Sequence, residues 1–248
     1  MIALRSHPNP FLQSFGLTDS VQKPSMYYRA MRRICYMLTA LWKVRVFNRH
    51  LEPADGSAVY ICNHQSFFDP ILMGMALRRP MNYMARDTLF RIPGLKQLIA
   101  SLNTFPVRRG TADTGALKEA MRRLRAGHQV MVFAEGTRTR DGRVGRFLPG
   151  VAMLAQRAAK WIVPVVIDGA FEAWPRTQAL PGGGNIVVQY APPIPRAEAG
   201  KLNGEQLIRR VRQAIIEMQT DIRRRVGRPA LNYSNEHHSA TGDSPPHP

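Results

Sequence analysis

Acidic side chains are scarce in this chain of 248 residues: 17 Asp plus Glu stand against 35 Lys plus Arg, a formal charge of +18. A surface with so few carboxylates seeks anions, and nucleic acid, an acidic bilayer face and a phosphorylated substrate all qualify. Cysteine is nearly absent, with Cys35 and Cys62 alone, which argues against a disulfide-stapled secreted fold. The chain does not open on an apolar run followed by a small-residue cleavage site, so the setting expected is reducing and cytoplasmic. Long apolar stretches are missing too. Residues 34–42 cover about half of the roughly 20 residues that a spanning helix needs, and no transmembrane helix is predicted. No G-x-S-x-G elbow occurs, which removes support for a serine hydrolase with a covalent acyl-enzyme. The seven histidines form no cluster with metal-ligand spacing, so no metal site is expected.

What is present suits one α/β domain, since 44% apolar residues at this length build a core of ordinary size. The polar residues 1–24, with Pro8 and Pro10, read as a flexible lead-in, and residues 227–248 as a disordered tail. In residues 25–50, Met31, Ile34, Cys35, Leu38, Leu41 and Trp42 fall at helical spacing among Arg29, Arg32, Arg33, Lys43 and Arg45. That pattern fits a helix lying in a membrane interface, and it fits equally a helix packed on the core. Residues 51–226 read as the catalytic domain.

Within it, short apolar runs are each followed by polar groups. Residues 58–62 lead into Asn63 and His64, 81–85 into Arg86, 104–107 into Arg108 and Arg109, and 130–134 into Glu135. Further strands are predicted at 162–167 and 186–190, on either side of a Pro- and Gly-rich stretch. Apolar stripes at Leu117, Met121 and Leu124, and at Leu207, Val211, Ile215, Met218 and Ile222, mark structural helices. The expected fold is a single mixed, largely parallel sheet flanked by helices. In such sheets the strands' carboxyl ends gather along one edge, where ligands bind.

The segment N-H-Q-S-F-F-D-P places His64 and Asp69 five residues apart. On a continuous helix that offset is about 140° around the axis, so the pair would not share a face. Pro70 suits a first helical position, which puts Asp69 at the N-cap and His64 in a loop able to fold back onto it. A carboxylate on one imidazole nitrogen makes the other a general base; a plain cap and a loop histidine are the alternative. Cys62, ending an apolar strand, is read as buried rather than nucleophilic. In F-A-E-G-T-R, Glu135, Gly136, Thr137 and Arg138 form a strand-to-turn segment able to cradle a phosphate, and Arg108, Arg109 and Gly110 offer a second cationic corner.

Together these segments resemble the glycerolipid acyltransferases of the phospholipid-synthesis type, whose members include the 1-acylglycerol-3-phosphate acyltransferases. Asn63, His64 and Asp69 match the first block, and Leu89, Pro93 and Arg109 the second. Phe133 with residues 135–138 matches the third, and Val163 with Pro164 the fourth, all in order between about residues 59 and 167. The resemblance implies that His64 deprotonates an acceptor hydroxyl that attacks an acyl thioester directly, with Asp69 steadying the imidazolium. It also implies that Asn63, Arg108, Arg109, Glu135, Gly136, Thr137 and Arg138 serve substrate binding, several of them at a phosphate. No cofactor is permanently bound; acyl-CoA or acyl-ACP is the co-substrate. The expected partners are an anionic membrane surface, a lysophospholipid, and acyl carrier protein or CoA, with no nucleic acid. The expected place is the cytoplasmic face of the inner membrane, as a peripheral or monotopic protein. Ala134, Arg86, Lys96, Asn103 and Arg108 depart from the family's pattern. These changes leave a lyso-aminolipid such as lyso-ornithine lipid open as acceptor beside lysophosphatidate. A basic nucleic-acid-binding module and a hydrolase that uses water as acceptor are the other readings.

Overall fold

The structure is a computed structural model that describes residues 24–108 and 113–233. In chain order its elements are α1 (Met26–Thr39), β1 (Arg45–Phe47), β2 (Ala58–Cys62), α2 (Asp69–Ala76), β3 (Met81–Arg86), α3 (Leu95–Ser101) and β4 (Thr104–Val107). Then follow α4 (Thr114–Arg125), β5 (Gln129–Phe133), α5 (Gly150–Arg157), β6 (Trp161–Asp168), α6 (Ala170–Ala173), β7 (Val187–Tyr190), β8 (Ile194–Pro195), α7 (Arg196–Ala199) and α8 (Gly204–Arg225). The strands make one sheet in the order β1-β7-β6-β2-β5-β3-β4, with β8 beside β6. Pairings are parallel except those of β7 and β8 with β6. The sheet is therefore mixed and largely parallel, as expected.

β2 lies near the middle, paired with β5 and β6. All five of its residues are buried because both of its faces are covered by helices, the condition that makes a parallel strand read as a continuous apolar run. Val59 and Ile61 face a core closed by α4, α5 and α8. Ala58, Tyr60 and Cys62 face the other layer, where Leu72, Met73 and Met75 of α2 and Ala170 and Ala173 of α6 pack. Cys62 ends β2 beside Phe133, the last residue of β5, and beside Val165, from which β6 runs on to Asp168 at the same edge.

α1 resolves the ambiguity of its periodicity by having two apolar faces. Tyr28 and Thr39 are buried: the Tyr28 hydroxyl accepts from Met81 N (3.2 Å), and Thr39 Oγ1 lies 3.3 Å from Met75 Sδ. Arg32 donates to Leu77 O (2.9 Å), which pins the helix across the end of α2. Tyr27, Ile34, Met37, Leu38 and Leu41 remain exposed. The predicted stripe is thus divided, with Cys35 and Trp42 packing inward and Ile34, Leu38 and Leu41 outward.

Two boundaries move. The segment expected to dock as far as residue 50 is helical only to residue 42, because Arg45–Phe47 is recruited as an edge strand against β7. Residues 227–233, which the sequence pattern assigns to the tail, fold back on the body. There the Arg228 guanidinium pairs with buried Asp168, and the Tyr233 hydroxyl donates to Gln219 Oε1 (2.6 Å). Residues 234–248, like the lead-in through residue 23, lie outside the described residues.

Candidate active site

The site starts where β2 stops. Asn63 continues the sheet through its side chain: its Nδ2 donates to Ile167 O (2.9 Å) and its Oδ1 accepts from Ile167 N (2.8 Å). Asn63 is fully buried. Its amide is consumed in holding the loop after β2 to β6, as a buried amide requires.

The next residue turns out of the sheet. His64 Nδ1 lies 2.6 Å from Asp69 Oδ2, and the same oxygen accepts from Gln65 N (2.6 Å) and Ser66 N (2.8 Å). Three donors converge on one carboxylate oxygen, so the loop 64–66 wraps around the acid and the imidazole can be placed in one way only. The His64 ring stacks on Phe133 at the end of β5, with centroids 4.1 Å apart and planes at 16°. Nδ1 is occupied by Asp69, which leaves Nε2 to take a proton. One detail differs from the sequence expectation: Asp69 is the first residue of α2, not its cap. The turn from Ser66 O to Asp69 N (3.4 Å) already winds toward the helix, so the side chain caps the loop ahead of α2 rather than the helix's own amides. Cys62 is completely buried, and burial pushes its thiol well above the ordinary range, which fits the reading that kept it out of the chemistry.

β5 brings up the second motif. Gly136 turns the chain at φ +68°, and a Cβ there would stand 2.7 Å from Leu148 Cδ1. The turn carries Thr139 N back to His64 O (2.8 Å), so the two motif loops are bonded to each other. Glu135 points inward: Oε1 accepts from His64 N (3.1 Å), and the carboxylate also accepts from the amide of Gly145. An added Cβ at Gly145 would come within 2.9 Å of Glu135 Oε2, so only glycine permits this approach. The Glu135 oxygens thus bond backbone amides of two loops, those of His64 and Gly145, a structural role beside the one that the resemblance implies at the substrate phosphate. Thr137 is exposed, and the Arg138 guanidinium lies over the exposed Phe67 ring, 3.5 Å from its centroid.

Burial raises the Glu135 carboxyl to about 7, against the lowering effect of the two backbone amides and the Arg212 charge; Asp69 adds to the rise. Because the folded value lies above the unfolded one, the ionised form is disfavoured in the native state. The associated stability is present at acid pH and lost as pH climbs from about 4.5 to about 7. Activity runs the opposite way, because both amides need an acceptor and a protonated carboxyl gives one up. Chemistry that uses His64 as a base is expected to fall on the acid side of about pH 7. Arg212 donates to Gly145 O (2.7 Å) and Val144 O (2.8 Å) and holds the Glu135 value down. Arg212→Met should move that acid limb upward; a pH–rate profile that drops uniformly would refute the coupling.

Arg108 is exposed beyond β4, three strands from β2 and so about 14 Å across the same edge. Its own amide donates to Asp113 Oδ2 (2.7 Å). Arg109 and Gly110 lie outside the described residues. The structure brings His64, Asp69, Glu135 and the Gly136–Arg138 turn together, and sets Arg108 at the rim. It adds residues that the motifs did not flag. Gln65 Nε2 and Gln219 Nε2 both donate to Gly142 O (3.0 Å each), and the Tyr233 hydroxyl accepts from Val144 N (2.8 Å). Gln219 falls among the apolar positions of α8, and a polar residue on a buried helix face was the available signal. Among the described residues no group of three His, Cys, Asp or Glu side chains is placed to hold a metal ion.

The acyltransferase family model matches residues 43–168, which contain every motif residue above. A chloroplastic 1-acyl-sn-glycerol-3-phosphate acyltransferase of Arabidopsis thaliana is 30% identical over 83% of this chain and 58% of its own length. A 1-acyl-sn-glycerol-3-phosphate acyltransferase of Bacillus subtilis is 29% identical over 58% of this chain and 72% of its own. The chain spans about half the length of the plant and algal relatives it matches, from 46% to 58%. Among solved structures, the 1-acyl-sn-glycerophosphate acyltransferase PlsC of Thermotoga maritima superposes with a TM-score of 0.71 at 25% identity, over 79% of each chain.

Proposed function

Because this chain belongs to the acyltransferase family, we propose that it moves a fatty acyl group from a thioester to the free hydroxyl of 1-acyl-sn-glycerol 3-phosphate, giving phosphatidate. The observation that carries the reading is the 2.6 Å His64–Asp69 pair, held at the sheet edge beside the Gly136–Arg138 turn. His64 Nε2 removes the acceptor's proton as its oxygen attacks the thioester carbonyl. The tetrahedral intermediate then collapses with loss of the C–S bond, and the thiolate leaves with the proton from the imidazolium. Asp69 supports the imidazolium between the two steps. Thr137, Arg138, Arg108 and Arg109 supply hydroxyl and guanidinium donors for the phosphate, a bidentate task suited to arginine. No side-chain nucleophile is needed.

The second component of the reading is the membrane. Among the described residues no helix is long and apolar enough to cross a bilayer. α1 instead shows lipid an apolar flank of Ile34, Leu38 and Leu41, with Arg29, Arg33 and Lys43 exposed nearby. Such a helix rests in the interface of an anionic leaflet. Replacing Leu38 and Leu41 together by serine is expected to weaken binding to anionic vesicles at least tenfold, roughly the loss of one buried leucine. Unchanged flotation would overturn α1 as the docking element.

The deciding assay offers one labelled acyl thioester, carried on CoA or on acyl carrier protein, to lysophosphatidate, glycerol 3-phosphate and lyso-ornithine lipid. Preference for lysophosphatidate is the expected result. Preference for the lyso-aminolipid would keep the mechanism and overturn the acceptor, and fatty acid release without any acceptor would mark a hydrolase.

A further inference from the structure

A second apolar surface faces outward on the same side of the sheet as α1. Between α6 and β7 the chain makes a loop, residues 174–184, and Leu180 near its tip is 78% exposed. A single exposed leucine is ordinary; this one sits on a loop fixed in place. Trp174 Nε1 donates to Gln178 O (3.1 Å), Gly182 N to Ala173 O (2.8 Å), and Trp42 Nε1 to Gly182 O (2.6 Å). The last bond ties the loop to the residue after Leu41, itself 81% exposed in the 3-10 turn that follows α1.

Charge points to the same partner. Residues 24–51 and 174–187 contain no Asp or Glu, while Arg29, Arg33, Lys43 and Arg176 are exposed. Behind the loop runs an aromatic file. The Trp42 and Phe68 rings are 4.6 Å apart, Phe68 and Trp174 5.0 Å, and Trp174 and Phe67 5.0 Å, and Arg138 covers Phe67. An apolar path thus leads from the exposed leucines to a guanidinium of the site.

We infer that the loop of residues 174–184 is a second membrane contact, with Leu180 and the Trp174 ring entering an anionic bilayer interface beside Leu41, so that an acceptor lipid reaches Arg138 over Phe67. The inference rests on the reading of α1 as a docking helix and names a further element of the same surface. Indole is amphipathic and suits the depth of lipid headgroups. With the loop seated there, the phosphate end of a lipid still anchored by its acyl chain lies toward the arginine.

The test uses the full chain with phosphatidylglycerol–phosphatidylethanolamine vesicles whose acyl chains carry bromine, a contact quencher of tryptophan. The three tryptophans, Trp42, Trp161 and Trp174, allow single-tryptophan proteins made by Trp→Phe at the other two positions. Trp174 is expected to be quenched and Trp161, at the opposite end of β6, not. In the wild-type background, which leaves the core unaltered, Leu180→Ser should lower vesicle partition about tenfold. Met153→Ser, exposed on α5 across the sheet, should not. An unquenched Trp174, a partition unmoved by Leu180→Ser, or a lipid-free dimer abolished by that change would each overturn the inference. Failure of α1 as a docking element shows separately, in the Leu38 and Leu41 variant.

Discussion

Replacing His64 by alanine is expected to lower acyl transfer about 10²–10⁴-fold, the range that a positioned general base contributes. The fold should survive, because Asp69 Oδ2 keeps its bonds to the Gln65 and Ser66 amides and Asn63 keeps its pair of bonds to Ile167. Vesicle binding should be unchanged, since His64 belongs to neither of the proposed docking elements, α1 and the loop of residues 174–184. Asp69→Asn is the sharper companion. It keeps an oxygen for the loop amides but removes the charge that supports the imidazolium, and a comparable fall in turnover is expected. Circular dichroism and vesicle flotation run beside the assay separate lost chemistry from lost structure. A His64→Ala protein that is folded and still transfers would sink the assignment of the base.

The largest stability effect is expected at Asp168, where β6 ends. This carboxylate is fully buried; Arg223 donates to its Oδ1 at 3.0 Å, Gln219 to the same oxygen at 3.1 Å, and Arg228 to its Oδ2. Arg223 is itself buried. Asp168→Ala would leave the Arg223 guanidinium with only Glu172 and the Pro229 carbonyl, and breaking a buried pair from one side costs up to about 3–5 kcal/mol. In a domain of this size that is a fall in Tm of about 6–20 °C. Lys160→Ala, which removes an exposed pair with Asp55, should cost under about 1 kcal/mol. Because Gln219 bonds both Asp168 and Gly142 O, transfer should decline with the anchor. A Tm within about 2 °C of wild type would show that the cluster is not the clamp its geometry describes.

Much of this molecule is local in the chain. The strands that carry the site are continuous apolar runs, and the residues after them bear functional groups because a parallel sheet delivers its loops to one edge. Such features are legible without coordinates, as are the His64–Asp69 spacing and the glycine turn at 136. Two residues carry structural bonds that residue type did not announce, for a shared reason. Asn63 and Glu135 look like ligand-binding polar residues, but their bonding partners, Ile167, His64 and Gly145, lie between 10 and 104 positions away. Residue type and spacing show which groups can bond, not which backbone groups take them.

Composition and pattern alone thus determined an anion-seeking α/β protein with a histidine–carboxylate pair and a basic amphipathic helix. Tertiary structure decided that Glu135 bonds the backbone of the base, that α8 and the Tyr233 strap brace the loop at 142–145, and that α1 divides its apolar surface between core and exterior. Periodicity along a chain reports which side chains share a face; what covers that face depends on segments that meet only when the sheet closes around them.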